Sequence, residues 1–491
     1  MGSTAVLDRS RSIAPPDYDR WRVPPSALAI YLAAGQLFAL NAFDVPLTRI
    51  FGVTSSEPGD WTATTIGWLF PIAISALGLS AFVFGRWVDD AGPRKAMFAS
   101  AVCFGGGFIV AALGVALHNI WIVYLGYGVL GGVGLGIGYI SPTTALIKWF
   151  PDRPAAATGL AIAGFSVGAM LGAALAETLL GFFSSPTDSG VVPTLVAMGM
   201  AYGALMAYGA ATVRLPAPGW TPKTYTSARR TTHGTEGAGA PKAWAPRVGT
   251  PAGRSDSERR PVAKDVHAAT AVRTRQFWLV WLVLCLMIMV GSGLMTEASA
   301  IIRAFFPVLI GARAATGFAA LLGIAVAIGG CAWSVASDDV GRRRIYMAYL
   351  FTGAIALAFL PTAAAMGSVA VFTTAAVVAA SVYGGGFATA PTYARDLFGD
   401  MHVGAIHGRL LTAWPVAAIA GPLAWDAVRD FAQGTGRSVA HASEVTIYAM
   451  AAILMFAAAV NWFVSSVDAA HHHRAPGSDD AATATHRAGR R

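Results

Sequence analysis

Few ionisable residues stand within the long apolar stretches of this sequence. Glu177 and Glu297 lie late in two of these stretches, and His407 lies at the start of another. A charge in an apolar medium is costly, so an ionisable residue there is a functional candidate by default. Glu297 and His407 can change charge by exchanging a proton, and the ordinary pKa of an imidazole lies near neutrality. We predict both as proton-coupling candidates; the alternatives are a structural hydrogen bond for Glu297 and a surface position for His407.

Side chains with an apolar body and a hydrogen-bonding tip form a second group of candidates. We predict that seven such residues contribute to a ligand site, with simple packing as the alternative for each. They are Tyr124, Tyr127, Tyr139, Tyr383, Trp414, Gln36 and Asn41. Other ionisable residues stand at the ends of apolar stretches: Asp44, Arg303, Arg395, Asp396 and Arg409. No convergent set of His, Asp and Ser residues indicates catalysis, so we do not predict an enzyme.

The residues that could bind a metal are scattered. Cys103, Cys285 and Cys331 lie singly in apolar runs, without the spacing of a zinc site or a disulfide framework. The residues 471–473 are three histidines, but they stand in a polar tail and are expected to be solvated. We therefore predict neither a metal nor another cofactor.

The composition of the chain indicates what kind of secondary structure positions these residues. Of the 491 residues, 55% are hydrophobic and only 12% are charged. Soluble domains carry about a quarter charged residues, so we predict that lipid is the solvent of this chain. The net charge of +9 is spread between apolar runs rather than gathered in a patch, which argues against a nucleic-acid partner.

Twelve stretches are long enough to span a bilayer as helices. They cover 26–46, 62–85, 95–117, 119–147, 155–182, 192–213, 276–302, 316–336, 345–365, 369–396, 404–427 and 443–466. The prediction is an all-α integral membrane protein with six helices at 26–213 and six at 276–466. Between them, 214–275 is a basic linker with twelve Lys or Arg residues against four acids, which we predict is disordered or lightly helical.

Basic residues mark one side of the membrane. Lys and Arg accumulate in the tail 1–25, in the loops after the second, fourth and eighth stretches, in the linker and in the tail 467–491. The loops on the other side are poor in them. Because such residues favour the cytoplasmic side, we predict a multi-pass protein of the cell membrane with both termini in the cytoplasm.

One charged tract occurs twice, half a chain length apart. "GRWVDDAGPRK" follows the second stretch and "SVASDDVGRRR" follows the eighth. Asp89 and Arg94 in the first copy correspond to Asp338 and Arg343 in the second. The repeat indicates two pseudo-symmetric six-helix halves. We predict that these residues form a cytoplasmic latch between the halves; the alternative is a simple topology anchor.

The tract resembles the loop after the second helix of the major facilitator superfamily, and this resemblance implies that family's fold. Both copies carry an acid, Asp90 or Asp339, where the family has an arginine. A narrower resemblance connects 134–173, 383–399 and 407–422 to the oxalate/formate antiporter family, which is itself similar to the monocarboxylate transporters. The family position of Tyr139 and Trp414 makes them the first choices for contact with substrate.

The resemblance also implies two cations that this sequence lacks. The eighth-helix arginine of the oxalate-type members corresponds to Gly330, and their eleventh-helix lysine corresponds to Trp414. We therefore predict a transporter of a small organic anion, first a monocarboxylate, by alternating access with proton symport or anion exchange. Oxalate/formate exchange and transport of an unrelated solute remain alternatives, and a membrane sensor is less favoured.

Overall fold

A computed structural model gives the architecture of the chain. It describes residues 12–15, 17–53, 55–217, 220–222, 265–434 and 438–472. The predicted all-helical membrane architecture is confirmed, because twelve helices of the described residues are long and apolar enough to cross a membrane. Most of the predicted linker, 223–264, and the outer parts of both tails, 1–11 and 473–491, lie outside the described residues.

The helices are α1 Arg20–Leu47, α2 Ala63–Ala91, α3 Pro93–Ala116, α4 Ile120–Trp149, α5 Pro154–Phe183, α6 Val191–Thr212, α7 Arg275–Phe305, α8 Ala312–Val340, α9 Arg342–Ala365, α10 Val369–Phe398, α11 Val403–Phe431 and α12 Val439–Trp462. Several extend beyond the predicted apolar stretches, because a helix continues into polar residues until a backbone feature stops it. α12 instead ends four residues before the predicted 466. The apolar Val464 and Val467 that follow are buried against the protein without continuing the helix.

Two glycines end α2 and α8 in the same way. Gly92 has φ 86° and Gly341 has φ 90°, a conformation that side chains with a Cβ rarely adopt. Each glycine therefore turns the chain sharply into the next helix. We call the end of the bundle that holds these turns the tract end and the opposite end the far end. Because the number of spans is even, the chain enters α1 and leaves α12 at the tract end.

Several of the described helices depart from regular α geometry. α1 becomes a 3-10 helix over Gly35–Phe43, and α4 contains a π-helical stretch over Tyr124–Gly131. α11 consists of two pieces, Val403–Leu410 and Ala413–Gly434, joined by a turn, and its second piece continues past the membrane-spanning part, which ends at Phe431. Such departures change which side chains share a face, and they often mark functional sites. The break in α11 lies between His407 and Trp414.

The two halves pack internally in matching ways. α2 packs on α4 and α3 on α6, as α8 packs on α10 and α9 on α12. Equivalent residues stand a constant 249 positions apart: the glycines of the two turns fit this offset, as do the prolines inside α4 and α10, Pro142 and Pro391. The constant offset indicates that the structural repeat extends from the tract into the packed helices.

Candidate functional site

The halves meet at the tract end through α2 against α11 and α5 against α8. Glycines permit this close approach. A Cβ at Gly159 would lie 2.8 Å from the carbonyl oxygen of Gly330, and a Cβ at Gly408 would overlap the carbonyl oxygen of Ala81. The two contacts are equivalent under the offset of 249 residues. The tract end is therefore closed by two symmetric helix pairs with little room for any added side chain.

Two carboxylates connect the halves beside these contacts. Asp89 at the end of α2 accepts the backbone N–H of Ala405 at 2.9 Å, in the first turn of α11. Asp338 at the end of α8 accepts the N–H groups of Ala155 and Ala156 at 3.1 and 2.9 Å, in the first turn of α5. Each acid thus caps a helix of the other half, where N–H groups lack partners and the helix dipole favours a negative charge.

The basic members of the predicted latch bind within their own halves. Arg94 is buried and donates to the carbonyl oxygen of Val213 at 3.4 Å. Arg343 donates to the carbonyl oxygen of Trp462 and lies over its ring, 5.7 Å from the centroid. The contacts that these arginines make with Val213 and Trp462 thus lie within one half, whereas Asp89 and Asp338 reach across the interface to cap helices.

Sequence reasoning missed the arginine that does pair with the second acid. Arg342 donates to Asp338 at 2.6 Å, with side-chain exposures of 6% and 7%, and lies 3.3 Å from Asp396. It is the first of three consecutive arginines, and the sequence alone does not show which one turns inward. The equivalent position in the first half is Pro93, so this pairing exists only in the second half.

Aromatic side chains from both halves fill the centre of the bundle. The Trp414 ring on α11 lies 5.6 Å from Tyr139 on α4 and 4.6 Å from Phe387 on α10. The Trp414 ring centroid also lies 5.7 Å from that of Phe165 and 6.3 Å from that of Phe38, whose ring plane is nearly parallel to it. Tyr139 and Trp414, the two first choices from the sequence, are therefore in contact across the interface between the halves.

A small cavity lies against this aromatic cluster. Its volume is about 10 Å³, roughly the space of one water molecule. Nine residues from four helices line it: Tyr139, Leu284, Ile288, Phe387, Ala390, His407, Leu410, Leu411 and Trp414. Both helix pieces of α11 and the turn between them contribute to its wall.

Two polar atoms of this lining have no hydrogen-bond partner among the described residues. They are the Tyr139 hydroxyl and the Nδ1 atom of His407. Tyr139 is 1% exposed and His407 is 2% exposed, so bulk solvent does not satisfy these atoms either. The surface position considered for His407 is therefore wrong. Because buried polar groups are nearly always paired, two orphans at one cavity make this cavity the candidate functional site.

The other predicted ligand-binding residues lie elsewhere. Gln36 is buried inside the first half, where its Oε1 accepts the Tyr202 hydroxyl at 2.8 Å. Tyr127 donates to the Gln36 carbonyl oxygen at 3.3 Å, and Tyr124 donates to the Thr65 carbonyl oxygen at 2.6 Å. These hydrogen bonds connect helices of the first half. The hydroxyls of Tyr124 and Tyr127 are therefore already paired within that half.

Two further candidates do not line the cavity. Asn41 is exposed on the 3-10 part of α1. Tyr383 lies one turn from Phe387 on α10, with ring centroids 6.4 Å apart, and faces Gly291 of α7. Tyr383 is the nearer of the two to the aromatic cluster.

Glu297 has a structural partner. It pairs with Arg429 at 3.1 Å, and Arg429 also binds Asp426 at 2.6 Å. Arg429 was missed because the predicted eleventh stretch ended at 427, whereas the helix continues to Gly434. Glu297 thus belongs to a charge network near the far end that joins α7 to α11.

This arrangement defines a class: a membrane protein of two pseudo-symmetric six-helix halves that close over a central site. The chain belongs to the Major Facilitator Superfamily, whose sequence profile matches residues 27–422. It is therefore a member of a transporter family.

Curated relatives and solved structures agree with this assignment. An oxalate:formate antiporter of Oxalobacter formigenes is 26% identical over 349 residues, which cover 69% of each protein. An apicoplast pyruvate carrier of Toxoplasma gondii is 26% identical over 62% of this chain and 60% of its own. Monocarboxylate transporter 9 of Rattus norvegicus is 29% identical over 28% of this chain and 27% of its own. The fold matches the proton:xylose symporter XylE with a TM-score of 0.65 at 12% identity, covering 94% of this chain and 98% of that one.

Proposed function

We propose that this protein is a secondary transporter that moves a small organic anion, first a monocarboxylate, by alternating access. The observation that carries the proposal is the cavity between the halves, which is walled by aromatic and aliphatic side chains and offers two polar tips. A small acid with an apolar body matches such a lining. The names of the relatives, which include a pyruvate carrier and a monocarboxylate transporter, support the same substrate class.

Oxalate/formate exchange is the second candidate, favoured by the similarity to the Oxalobacter formigenes protein. Oxalate carries two negative charges, and each would need compensation once removed from water. The two positions where the resemblance implies cations hold Gly330 and Trp414, and the cavity lining contains neither Lys nor Arg. A single negative charge therefore fits the lining better than two.

The orientation and the latch form part of the proposal. The distribution of Lys and Arg favours a cytoplasmic tract end, with both termini inside the cell. In that orientation, the caps made by Asp89 and Asp338 hold the cytoplasmic side closed, and the substrate reaches the cavity from outside. Release into the cell then requires both caps to separate from α11 and α5.

Uptake into proteoliposomes tests the proposal. The purified protein is reconstituted, and the entry of labelled formate, lactate, pyruvate and oxalate is followed with and without a proton gradient. We expect saturable uptake of at least one monocarboxylate and none into liposomes without protein. Absence of uptake and of counterflow for all four acids would overturn the assignment to organic anions. Movement of an uncharged solute in the same vesicles would then favour the unrelated-solute alternative.

A further inference from the structure

The cavity contains one group that can supply a positive charge, and its position suggests a specific role. His407 lies on the first piece of α11, seven residues before Trp414, which occupies the position of the family's lysine. Its ring lies 5.9 Å from the Tyr139 ring, across the interface between the halves. We propose that His407, once protonated, and the Tyr139 hydroxyl together bind the carboxylate of a monoanionic substrate. This inference rests on the proposed function and specifies its site.

The residues around His407 determine which group can balance the negative charge of a bound anion. α7 and α10 present Leu284, Ile288, Phe387 and Ala390 to the cavity, and α4 presents Tyr139. At the tract end of α2, Asp89 is engaged with the Ala405 N–H, while Arg86 and Asp90 are exposed. Arg409, on the same helix as His407, is directed to Phe82 and to the Ala268 carbonyl oxygen. Among the described lining residues, His407 is thus the one able to become a cation.

Burial then couples the proton to the anion. A lone imidazolium in this cavity would lose its hydration without compensation, and so would a lone carboxylate. Together the two form a charge-assisted hydrogen bond in a medium of low dielectric constant, where such bonds are strong. One proton and one anion therefore enter together and leave together, so the cycle is electroneutral. A dianion would bring a second charge for which the cavity has no partner.

The aromatic neighbours determine the remainder of the ligand. Trp414 and Phe387 form an edge-to-face pair beside the polar atoms, with ring planes at 70°. Flat apolar groups pack well against such rings. The preferred substrate is thus a monocarboxylate with a small apolar or flat body. The present cavity of about 10 Å³ must widen to admit it, and this widening links binding to movement of the halves.

The test compares uptake of labelled pyruvate and of oxalate by proteoliposomes between about pH 5 and about pH 8. In the unaltered protein we expect pyruvate uptake to increase as the external pH falls, with one proton entering per anion and with no uptake of oxalate. His407→Gln should raise the KM for pyruvate by about 10- to 100-fold, the range of a hydrogen bond to a charged group, and should remove the pH dependence. Tyr139→Phe should raise the KM by about tenfold and leave the pH profile intact.

Two further variants sharpen the result. His407→Lys supplies a permanent cation, so it should retain anion exchange while losing accumulation driven by a proton gradient. His118→Gln is the matched control, because His118 lies in a far-end loop stacked against Trp61, away from the cavity. Its KM and pH profile should equal those of the unaltered protein.

Each outcome bears on the inference. If His407→Gln keeps the original KM and pH profile, the inference is wrong, and efficient oxalate uptake would contradict the single-charge site. If His407→Gln does not fold, Tyr139→Phe and His407→Lys decide by the same measures. If the unaltered protein transports no acid at all, it is the proposed function that fails, which is a distinguishable result.

Discussion

Two tyrosines of the first half differ in whether their hydroxyls have a partner. Tyr202 donates to Gln36 at 2.8 Å, whereas the Tyr139 hydroxyl is buried without a partner in the described part of the chain. A buried polar group without a hydrogen bond costs about 1–3 kcal/mol of stability. The protein thus keeps a destabilising group at the centre of its interface, as binding sites commonly do.

Removing these two hydroxyls should affect stability differently. Tyr139→Phe should leave the free energy of unfolding unchanged or raise it by about 1 kcal/mol, because no bond is lost. Tyr202→Phe should lower it by about 1 kcal/mol, because the Gln36 oxygen is left unpaired. Unfolding of the purified variants in detergent measures both changes. Equal destabilisation by the two substitutions would show that Tyr139 has a structural partner. The KM of Tyr202→Phe should remain unchanged.

The sequence predicted some residues of the site and not others, for a physical reason. Tyr139, Trp414 and His407 were predicted, and the structure brings them together at one cavity. Gln36 has an equally suitable side chain but faces Tyr202 inside its own half. In helices that are apolar on all sides, hydrophobic periodicity does not show which face points to the interface. These residues differ in whether the folded chain gives the side chain a polar partner, and the sequence does not show this.

At the scale of helices, the carboxylates at the ends of α2 and α8 both cap a helix of the other half, but different residues stabilise them. Asp338 caps α5 and is itself held by Arg342, with both side chains largely buried. Removing one partner of a buried ion pair leaves an uncompensated charge and commonly costs 3–5 kcal/mol. Replacing both partners is tolerated much better. The pair therefore offers a test that separates charge compensation from packing.

Arg342→Met should lower the free energy of unfolding by about 3 kcal/mol, since the buried Asp338 carboxylate loses its counterion. Adding Asp338→Asn to this variant should recover much of the loss, because it removes the unpaired charge and the asparagine oxygen still accepts one of the two N–H groups at the start of α5. Unfolding by denaturant in mixed detergent micelles measures both variants. The neighbouring Arg343→Met is the control, because Arg343 lies at the surface over Trp462 and should cost less than about 1 kcal/mol. A double variant as unstable as the single one would contradict this account.

Long apolar stretches predicted the existence and order of all twelve helices. The interruptions within them were not predicted. Among these are the 3-10 part of α1, the π stretch of α4 and the turn between the two pieces of α11. They depend on how neighbouring helices pack, and local sequence carries little information about such packing. The turn in α11 matters most, because it lies between His407 and Trp414 in the cavity wall.

At the scale of the whole molecule, the closed tract end rests on glycines that leave no space. Gly408 and Gly159 occupy equivalent positions in α11 and α5 and pack against α2 and α8. Gly323 lies earlier in α8 than the residues that Gly159 contacts, and a Cβ there would meet nothing within 4 Å. A larger side chain should therefore act as a wedge at Gly408 and have no such effect at Gly323.

Gly408→Val should shift the protein toward a state open at the tract end. Ser334 is buried where α8 meets α5, so a Ser334→Cys reporter should react slowly with a maleimide in the closed state. Cys103, Cys285 and Cys331 are replaced by serine beforehand. We expect the wedge to raise the labelling rate by about tenfold, corresponding to roughly 1.4 kcal/mol in the conformational equilibrium. Gly323→Val should leave the rate unchanged, and an unchanged rate in Gly408→Val would contradict the role of the glycine contact.

The presence of Arg342 in one half and of Pro93 at its counterpart makes the two caps unequal. The cap at α5 is supported by the bridge from Arg342 to Asp338, whereas the Asp89 carboxylate at the α11 cap has Lys148 of α4 as its nearby cation. Because different charges hold the two joints, we expect one joint to part before the other. The halves then swing about a pivot instead of separating evenly. A repeated structure can in this way produce an asymmetric movement.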